Sequence, residues 1–190
     1  MHNGFINFDG EKMSKSLGNV IFAKDMFEKV GGTVTRLVIL NTHYRMPVNF
    51  TEDTVKAAGQ EVNKMVMAYK QAALALQTNG YNLQSGKANM DNFVAALADD
   101  LNTTNALAEL YSVVKETNQL LRTRPIDFDK LNNNFKTLTD MFYCLGLDIK
   151  YVEMSDEDKN LYKEYNLSKE NKDFARSDEI RKVLIEKGIM

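Results

Sequence analysis

The chain has 190 residues, 44% hydrophobic and 26% charged, with a formal net charge of −2; these are ordinary values for a soluble globular protein of one or two domains and leave no diffuse basic field for nucleic acid. No apolar run approaches the length of a membrane span, and Met1-His2-Asn3-Gly4-Phe5 lacks the basic-then-apolar pattern of a secretory signal. The single cysteine, Cys144, excludes an internal disulfide, and with only His2 and His43 beside it argues against a Cys/His zinc site, so a reducing, cytoplasmic compartment is expected.

Charge is uneven along the chain. Residues 1–50 carry six Lys/Arg against four Asp/Glu, whereas residues 51–190 carry eighteen against twenty-two. Any contact with RNA therefore has to use local patches, and the basic excess lies with the first fifty residues.

In chain order, Asn3 to Lys12 alternates weakly and predicts two short strands or an extended arm. The arm leads into Gly10-Glu11-Lys12-Met13-Ser14-Lys15-Ser16-Leu17-Gly18-Asn19. Lys12 and Lys15 each bring a compact charge on a flexible stem, Ser14 and Ser16 can donate to phosphate oxygen, and Gly10 and Gly18 allow the backbone to turn. Such a loop suits a polyanion: charge developing on a departing pyrophosphate would be stabilised as the loop closes. A generic Lys/Ser-rich stretch is a solvated turn, but the full string K-M-S-K-S recurs by chance only on the order of once in ten thousand chains of this length.

The remainder predicts helices. Phe22, Met26, Phe27 and Val30 form one face, closed by Gly31-Gly32; Thr33 or Thr35 caps the next helix, which buries Leu37, Val38 and Leu40 and ends around Thr42-His43-Tyr44-Arg45 before Pro47. Thr51 caps a long helix whose Val55, Ala58, Val62, Met65, Val66, Tyr69, Ala73 and Leu76 make a narrow stripe, stopped by Asn79-Gly80. A helix burying Met90, Phe93, Leu97 and Leu101 breaks at Asp99-Asp100-Leu101-Asn102, and Thr103 or Thr104 caps its successor. Asp127 or Asp129 starts a helix that ends at Gly146 and holds Cys144 as a small core residue. Ser155-Asp156-Glu157-Asp158 opens a short charged helix, and a last one buries Phe174, Ile180 and Leu184 before Gly188. No 20–50-residue repeat is evident and nothing beyond the arm reads as a sheet, so the expected fold class is mainly α. The expected divisions are 1–50 for the loop and junction, 51–150 for a helical bundle and 151–190 for charged C-terminal helices.

K-M-S-K-S resembles the second signature of class I aminoacyl-tRNA synthetases. Four further stretches, in order, resemble the cysteinyl-tRNA synthetase family: His2-Asn3-Gly4-Phe5 through Lys12, Thr42-His43-Tyr44-Arg45 with Val48-Asn49-Phe50, Asp99-Asp100-Leu101-Asn102-Thr103, and Lys172 to Arg181. Thr104 stands where the family often has proline, which alters a helix start rather than chemistry.

The resemblance implies an ATP- and Mg2+-dependent ligase that activates cysteine and transfers it to tRNA(Cys), working as a monomer. Lys15 and then Lys12 would contact the pyrophosphate, Ser14 and Ser16 would shape the loop, and Met13 would pack against the core. His43, Tyr44, Arg45, Asp100, Asn102 and Thr103 would be tRNA contacts, with a structural junction and helix capping as the competing readings. The family's His-x-Gly-His signature and zinc ligands are not in this sequence, so a segment of a longer synthetase, inactive alone, is expected. The alternatives are a cysteine ligase of another pathway sharing the loop, or a non-catalytic helical module that binds RNA or protein.

Overall fold

The computed structural model describes residues 2–18 and 20–190, with Leu17 described by its backbone alone. Asn19, the end of the lysine-rich stretch, lies outside the described residues. Among those described there are eight α-helices and one three-stranded sheet, so the chain is mainly α. It divides into two compact units. The first takes the residues up to Met65, Met90–Val114 and Thr139–Ile149; the second takes Val66–Asn89, Lys115–Leu138 and Lys150–Met190.

In the first unit, β1 (Ile6–Phe8) pairs antiparallel with β2 (Glu11–Lys12), Asn7 opposite Lys12 and Phe8 opposite Glu11. The two-residue connection is Asp9-Gly10, with φ of 48° and 85°. Both values are left-handed, which is what the twist of a tight hairpin demands and what Asp-Gly tolerates. A third strand, β3 (Val48–Phe50), runs parallel to β1, giving the order β2-β1-β3. This corrects the expectation of no sheet beyond the arm. Three residues between Pro47 and a helix show no alternation of their own, and their strand character comes from pairing with the distant arm.

Between β2 and β3 lie α1 (Ala23–Val30) and α2 (Gly32–Leu40), packed on each other. Of the predicted α1 face only Met26 is buried; Phe22 and Phe27 are 63% and 53% exposed. Two turns of helix against one neighbour bury a single row, and Phe22 precedes the helix. Leu37 and Val38 are buried as expected, Leu40 half so. Neither threonine caps α2: it starts after Gly31 at φ 83°, and Thr35, inside the helix, donates its hydroxyl back to the Gly31 carbonyl at 3.0 Å.

The long helix α3 (Glu52–Thr78) begins as predicted, with Thr51 Oγ1 accepting from the Thr54 amide at 3.0 Å. Of its stripe, Ala58, Val62, Met65, Tyr69, Ala73 and Leu76 are buried at the steps read from the sequence, while Val55 and Val66 are half-buried. The short α4 (Asp91–Ala98) buries Phe93, but Leu101 is 48% exposed beyond its end. The cap of α5 (Thr103–Arg122) is Asn102, whose Oδ1 accepts from the Asn105 amide at 3.0 Å, and neither Thr103 nor Thr104 takes that role. Asp127 caps α6 (Phe128–Leu145), which closes at Gly146 with φ 64°. Cys144 is exposed, contrary to its expected core position. Met141, Phe142 and Leu145 take the inward face, and the 100° step turns Tyr143 and Cys144 outward.

The second unit ends in the hairpin α7 (Asp156–Glu170) and α8 (Phe174–Glu186), closed on Met154, Tyr165, Ile180, Leu184 and Ile189. Ser155 and Asp158 form the predicted capping box. Asp158 also accepts from Lys187, and that contact first, then Ser155, holds its carboxyl below the usual carboxylate range. Phe174, expected in the core, is 65% exposed, because the inward face of α8 begins at Ser177 and continues through Ile180 and Leu184. Buried Gln77 clasps the preceding segment, donating to the Val152 carbonyl at 3.1 Å and accepting from the Met154 amide at 2.8 Å. Tyr69 and Phe135 stack with centroids 4.5 Å apart, and Tyr151 meets both edge-on.

Candidate functional site

The lysine loop follows β2 directly. Lys12 is the last strand residue, exposed, with its ammonium 4.0 Å from the centroid of the Phe5 ring. That cation–π contact holds the side chain along the arm, and an anion would have to draw it away. Met13 is half-buried, and its amide donates to the Ile6 carbonyl at 3.0 Å, so the chain leaves the hairpin in a fixed direction. Lys15–Leu17 form one 3-10 turn, closed by the Gly18 amide on the Lys15 carbonyl at 3.3 Å, with Gly18 at φ 67°. Ser14 and Ser16 hydroxyls lie 3.1 Å apart and Lys15 is exposed. The arrangement presents one ammonium and two neighbouring hydroxyls, which suits the several oxygens of a phosphate group.

The hairpin is held by the segment that the sequence marked as a junction. The Gly4 amide donates to the Tyr44 carbonyl at 2.7 Å, Val48 to Phe5 at 2.9 Å and Asp9 to Phe50 at 3.2 Å, while the Gly10 amide donates to Asn49 Oδ1 at 3.0 Å. Gly4 has no room for a side chain: a Cβ there would fall onto the Met46 carbonyl and 2.7 Å from Pro47 N. No local signal marks the parts played by Gly4 and Asn49, since both depend on this long-range pairing.

Of the six residues expected to contact tRNA, the structure joins four in one cluster. Tyr44 Oη donates to Asp100 Oδ1 at 2.6 Å, Arg45 Nη2 reaches both carboxylate oxygens at 3.1 and 2.9 Å, and Arg45 Nε donates to Tyr44 Oη at 2.9 Å. His43 stacks on Tyr44 at 4.7 Å and places Nε2 3.8 Å from Asp100 Oδ2. Its Nδ1 accepts from the Arg45 amide at 3.4 Å, so in the neutral ring the proton sits on Nε2, facing the carboxylate. The Tyr44 hydroxyl first, and then the Arg45 guanidinium, hold the Asp100 carboxyl below the usual carboxylate range and together outweigh the opposing effect of burial. Tyr44 first, and then Asp100, raise the Arg45 guanidinium.

The other two stand beside the cluster. Thr103 donates its hydroxyl to the Leu40 carbonyl at 2.8 Å, tying the start of α5 to the end of α2, while Asn102 is committed to its cap. Asp100 and Leu101 both have φ of 54°. Consecutive left-handed residues that are not glycine cost roughly 1–2 kcal/mol each, so the turn persists because its surroundings hold it there.

A family model described as tRNA synthetases class I (C) catalytic domain matches residues 1–60, and one described as DALR domain matches residues 92–150. The loop, the sheet that carries it and the helices behind it thus define a segment of a class I aminoacyl-tRNA synthetase. The chain is 35% identical to the cysteine–tRNA ligase of Brevibacillus brevis and 36% identical to that of Oceanobacillus iheyensis, in each case over 100% of this chain and 43% of the relative. A Staphylococcus epidermidis cysteine–tRNA ligase is 37% identical over 97% of this chain and 42% of its own length. The chain therefore belongs to the cysteinyl-tRNA synthetase family and spans about 43% of the length of these curated relatives.

Proposed function

We propose that this chain supplies the pyrophosphate-stabilising loop and part of the tRNA-binding helices of a cysteine–tRNA ligase of the cytoplasm, acting as a monomer. In the reaction the cysteine carboxylate attacks the α-phosphorus of ATP, pyrophosphate leaves, and the cysteinyl group passes from the adenylate to the terminal ribose of tRNA(Cys), releasing AMP. The observation that carries the proposal is the loop itself, exposed Lys15 in a one-turn helix beside paired Ser14 and Ser16 hydroxyls, in a segment that the class I catalytic-domain family matches.

Lys15 would meet the β- and γ-phosphate oxygens as charge develops on them, and Lys12 would join after leaving Phe5. Met13 would set the direction of the loop through its half-buried side chain and its amide bond to Ile6. Mg2+, bound with ATP, would spread the charge of the phosphates. The loop's cations and hydroxyls fit the nucleotide rather than the metal, and among the described residues no group of three or more His, Cys, Asp or Glu could hold a metal ion. The described residues likewise do not fit the zinc site that the family resemblance implies. The helices of the DALR match would carry the anticodon arm. Exposed Arg45 and half-buried His43 would reach a tRNA phosphate only by sharing or giving up their contacts with Asp100.

The test is a chimera in which this chain replaces the corresponding segment of the Brevibacillus brevis ligase. If Lys15 acts on charge present only in the transition state, Lys15→Ala lowers the rate of cysteine-dependent ATP–pyrophosphate exchange by about 10²–10³ with little change in the KM for ATP. A raised KM with an unchanged rate at saturation would assign Lys15 to ground-state binding instead.

A further inference from the structure

We infer that Asp100 is a positioning residue for the lysine loop, acting through Tyr44 and Arg45 on the strand that holds the loop's hairpin. The inference rests on the functional reading above for its meaning in catalysis, but its physical content is confined to the first unit and can be measured without any ligase activity.

The connection is short and made of named contacts. Asp100 receives Tyr44 Oη and Arg45 Nη2, fixing the 43–45 turn by its side chains. The backbone of that turn accepts the Gly4 amide through the Tyr44 carbonyl, and β3, which follows it, holds Phe5, Asp9 and Gly10. Gly10 closes the turn that leads to Lys12, and the Met13 amide returns to Ile6 in the same strand. A shift of the 43–50 segment therefore moves the base of the loop as a body, because the loop leaves a three-stranded sheet rather than a free arm.

The left-handed φ of Asp100 serves the end of α4, whose C-cap is Asp99, but its carboxylate caps neither helix, since Asn102 caps α5 and the Asp100 oxygens turn to Tyr44 and Arg45. Aspartate is among the few side chains that tolerate that backbone and can still reach outward. The charged and titratable groups facing it are Tyr44, Arg45 and His43, all on one turn. The α4–α5 connection is thus joined to the arm by side chains at Asp100 and, separately, to α2 by Thr103 on Leu40. The second tie gives an internal control.

The experiment is amide hydrogen exchange by NMR on the 190-residue chain, comparing the parent with Asp100→Asn, Asp100→Gly and Thr103→Val. Asparagine keeps the backbone preference and the shape but removes the charge. Glycine relieves the left-handed backbone and removes the carboxylate altogether. If the carboxylate positions the arm, both Asp100 variants speed exchange at Gly4, Asp9 and Gly10 roughly three- to tenfold, while amides in the middle of α5 are unchanged. Thr103→Val leaves those three amides at the parent rate. In the parent the Gly4 amide shift titrates with a midpoint below the usual carboxylate range, and in Asp100→Asn that step is absent, a signature that a merely structural turn would not produce. Tyr44→Phe combined with Asp100→Asn adds little to either alone. Unchanged exchange at Gly4, Asp9 and Gly10 in Asp100→Gly would overturn the inference, and so would an equal effect of Thr103→Val or a rise spread evenly over the unit. Should the exchange pattern appear while the chimeric ligase proves inactive, the functional reading fails and the positioning link stands.

Discussion

Gly4→Ala is the sharpest test of how the lysine loop is held. The added methyl group would fall onto the Met46 carbonyl and lie 2.7 Å from Pro47 N, and all of these neighbours are backbone that cannot swing aside. Relief requires residues 3–5 to leave the 44–48 segment, which removes the Gly4 amide bond to Tyr44 and strains the Val48 amide bond to Phe5. Overpacking of this kind costs about 1–3 kcal/mol, and a lost backbone hydrogen bond adds about 1 kcal/mol. The sum, about 2–4 kcal/mol, corresponds to roughly a 30- to 1,000-fold rise in local opening. Because β1 is three residues long, the arm can detach without the helices, so the cost is felt locally and not in global unfolding. Hydrogen exchange would show Val48, Asp9 and Met13 losing protection by that factor, with α3 and α5 unaffected and the melting temperature shifted by only a degree or two. Parent-like exchange at Asp9 and Val48 in a soluble Gly4→Ala protein would refute the pairing of arm and junction.

Three further outcomes concern the helical half. Ser155→Ala should destabilise by about 1 kcal/mol, read by urea unfolding, because it removes one half of the α7 capping box. Asp158, whose folded pKa is lowered by Lys187 and then Ser155, contributes stability that is present above its unfolded pKa and lost as pH falls through the folded one. The parent should therefore lose more stability below about pH 4 than Asp158→Asn does, and equal acid sensitivity would count against the Lys187 pair. Residues 51–190 carry eighteen Lys/Arg against twenty-two Asp/Glu, so the chain should bind tRNA(Cys) weakly, more tightly than a tRNA with a changed anticodon, and with a shallow salt slope. Equal affinity for the two with a steep slope would make these helices a scaffold.

Helices were the part of this fold most open to sequence reasoning, because their signals are local. The stripe from Ala58 to Leu76, the Thr51 and Asp127 caps, the Ser155 box and the stop at Gly146 all lie within a few residues of what they control. Burial was less legible where a helix is short or a residue sits at its end. Phe22, Phe27 and Phe174 have helical spacing but no row of partners, and Cys144 differs from Leu145 by a single 100° step.

The candidate site divides the same way. Lys12 to Ser16 could be read as a unit because the loop is contiguous. His43-Tyr44-Arg45 and Asp100 could be singled out separately, but their meeting is a tertiary fact. So is β3, whose three residues become a strand only beside Ile6–Phe8.

Charging of tRNA(Cys) shows whether the lysine loop works in a complete ligase. With this chain in place of the corresponding segment of the Brevibacillus brevis cysteine–tRNA ligase, the chimera should attach cysteine to tRNA(Cys), and Lys15→Ala in the same chimera should reduce that rate by about 10²–10³. A folded chimera that charges no faster than a segment-deleted control, or one that Lys15→Ala leaves unchanged, would contradict the account.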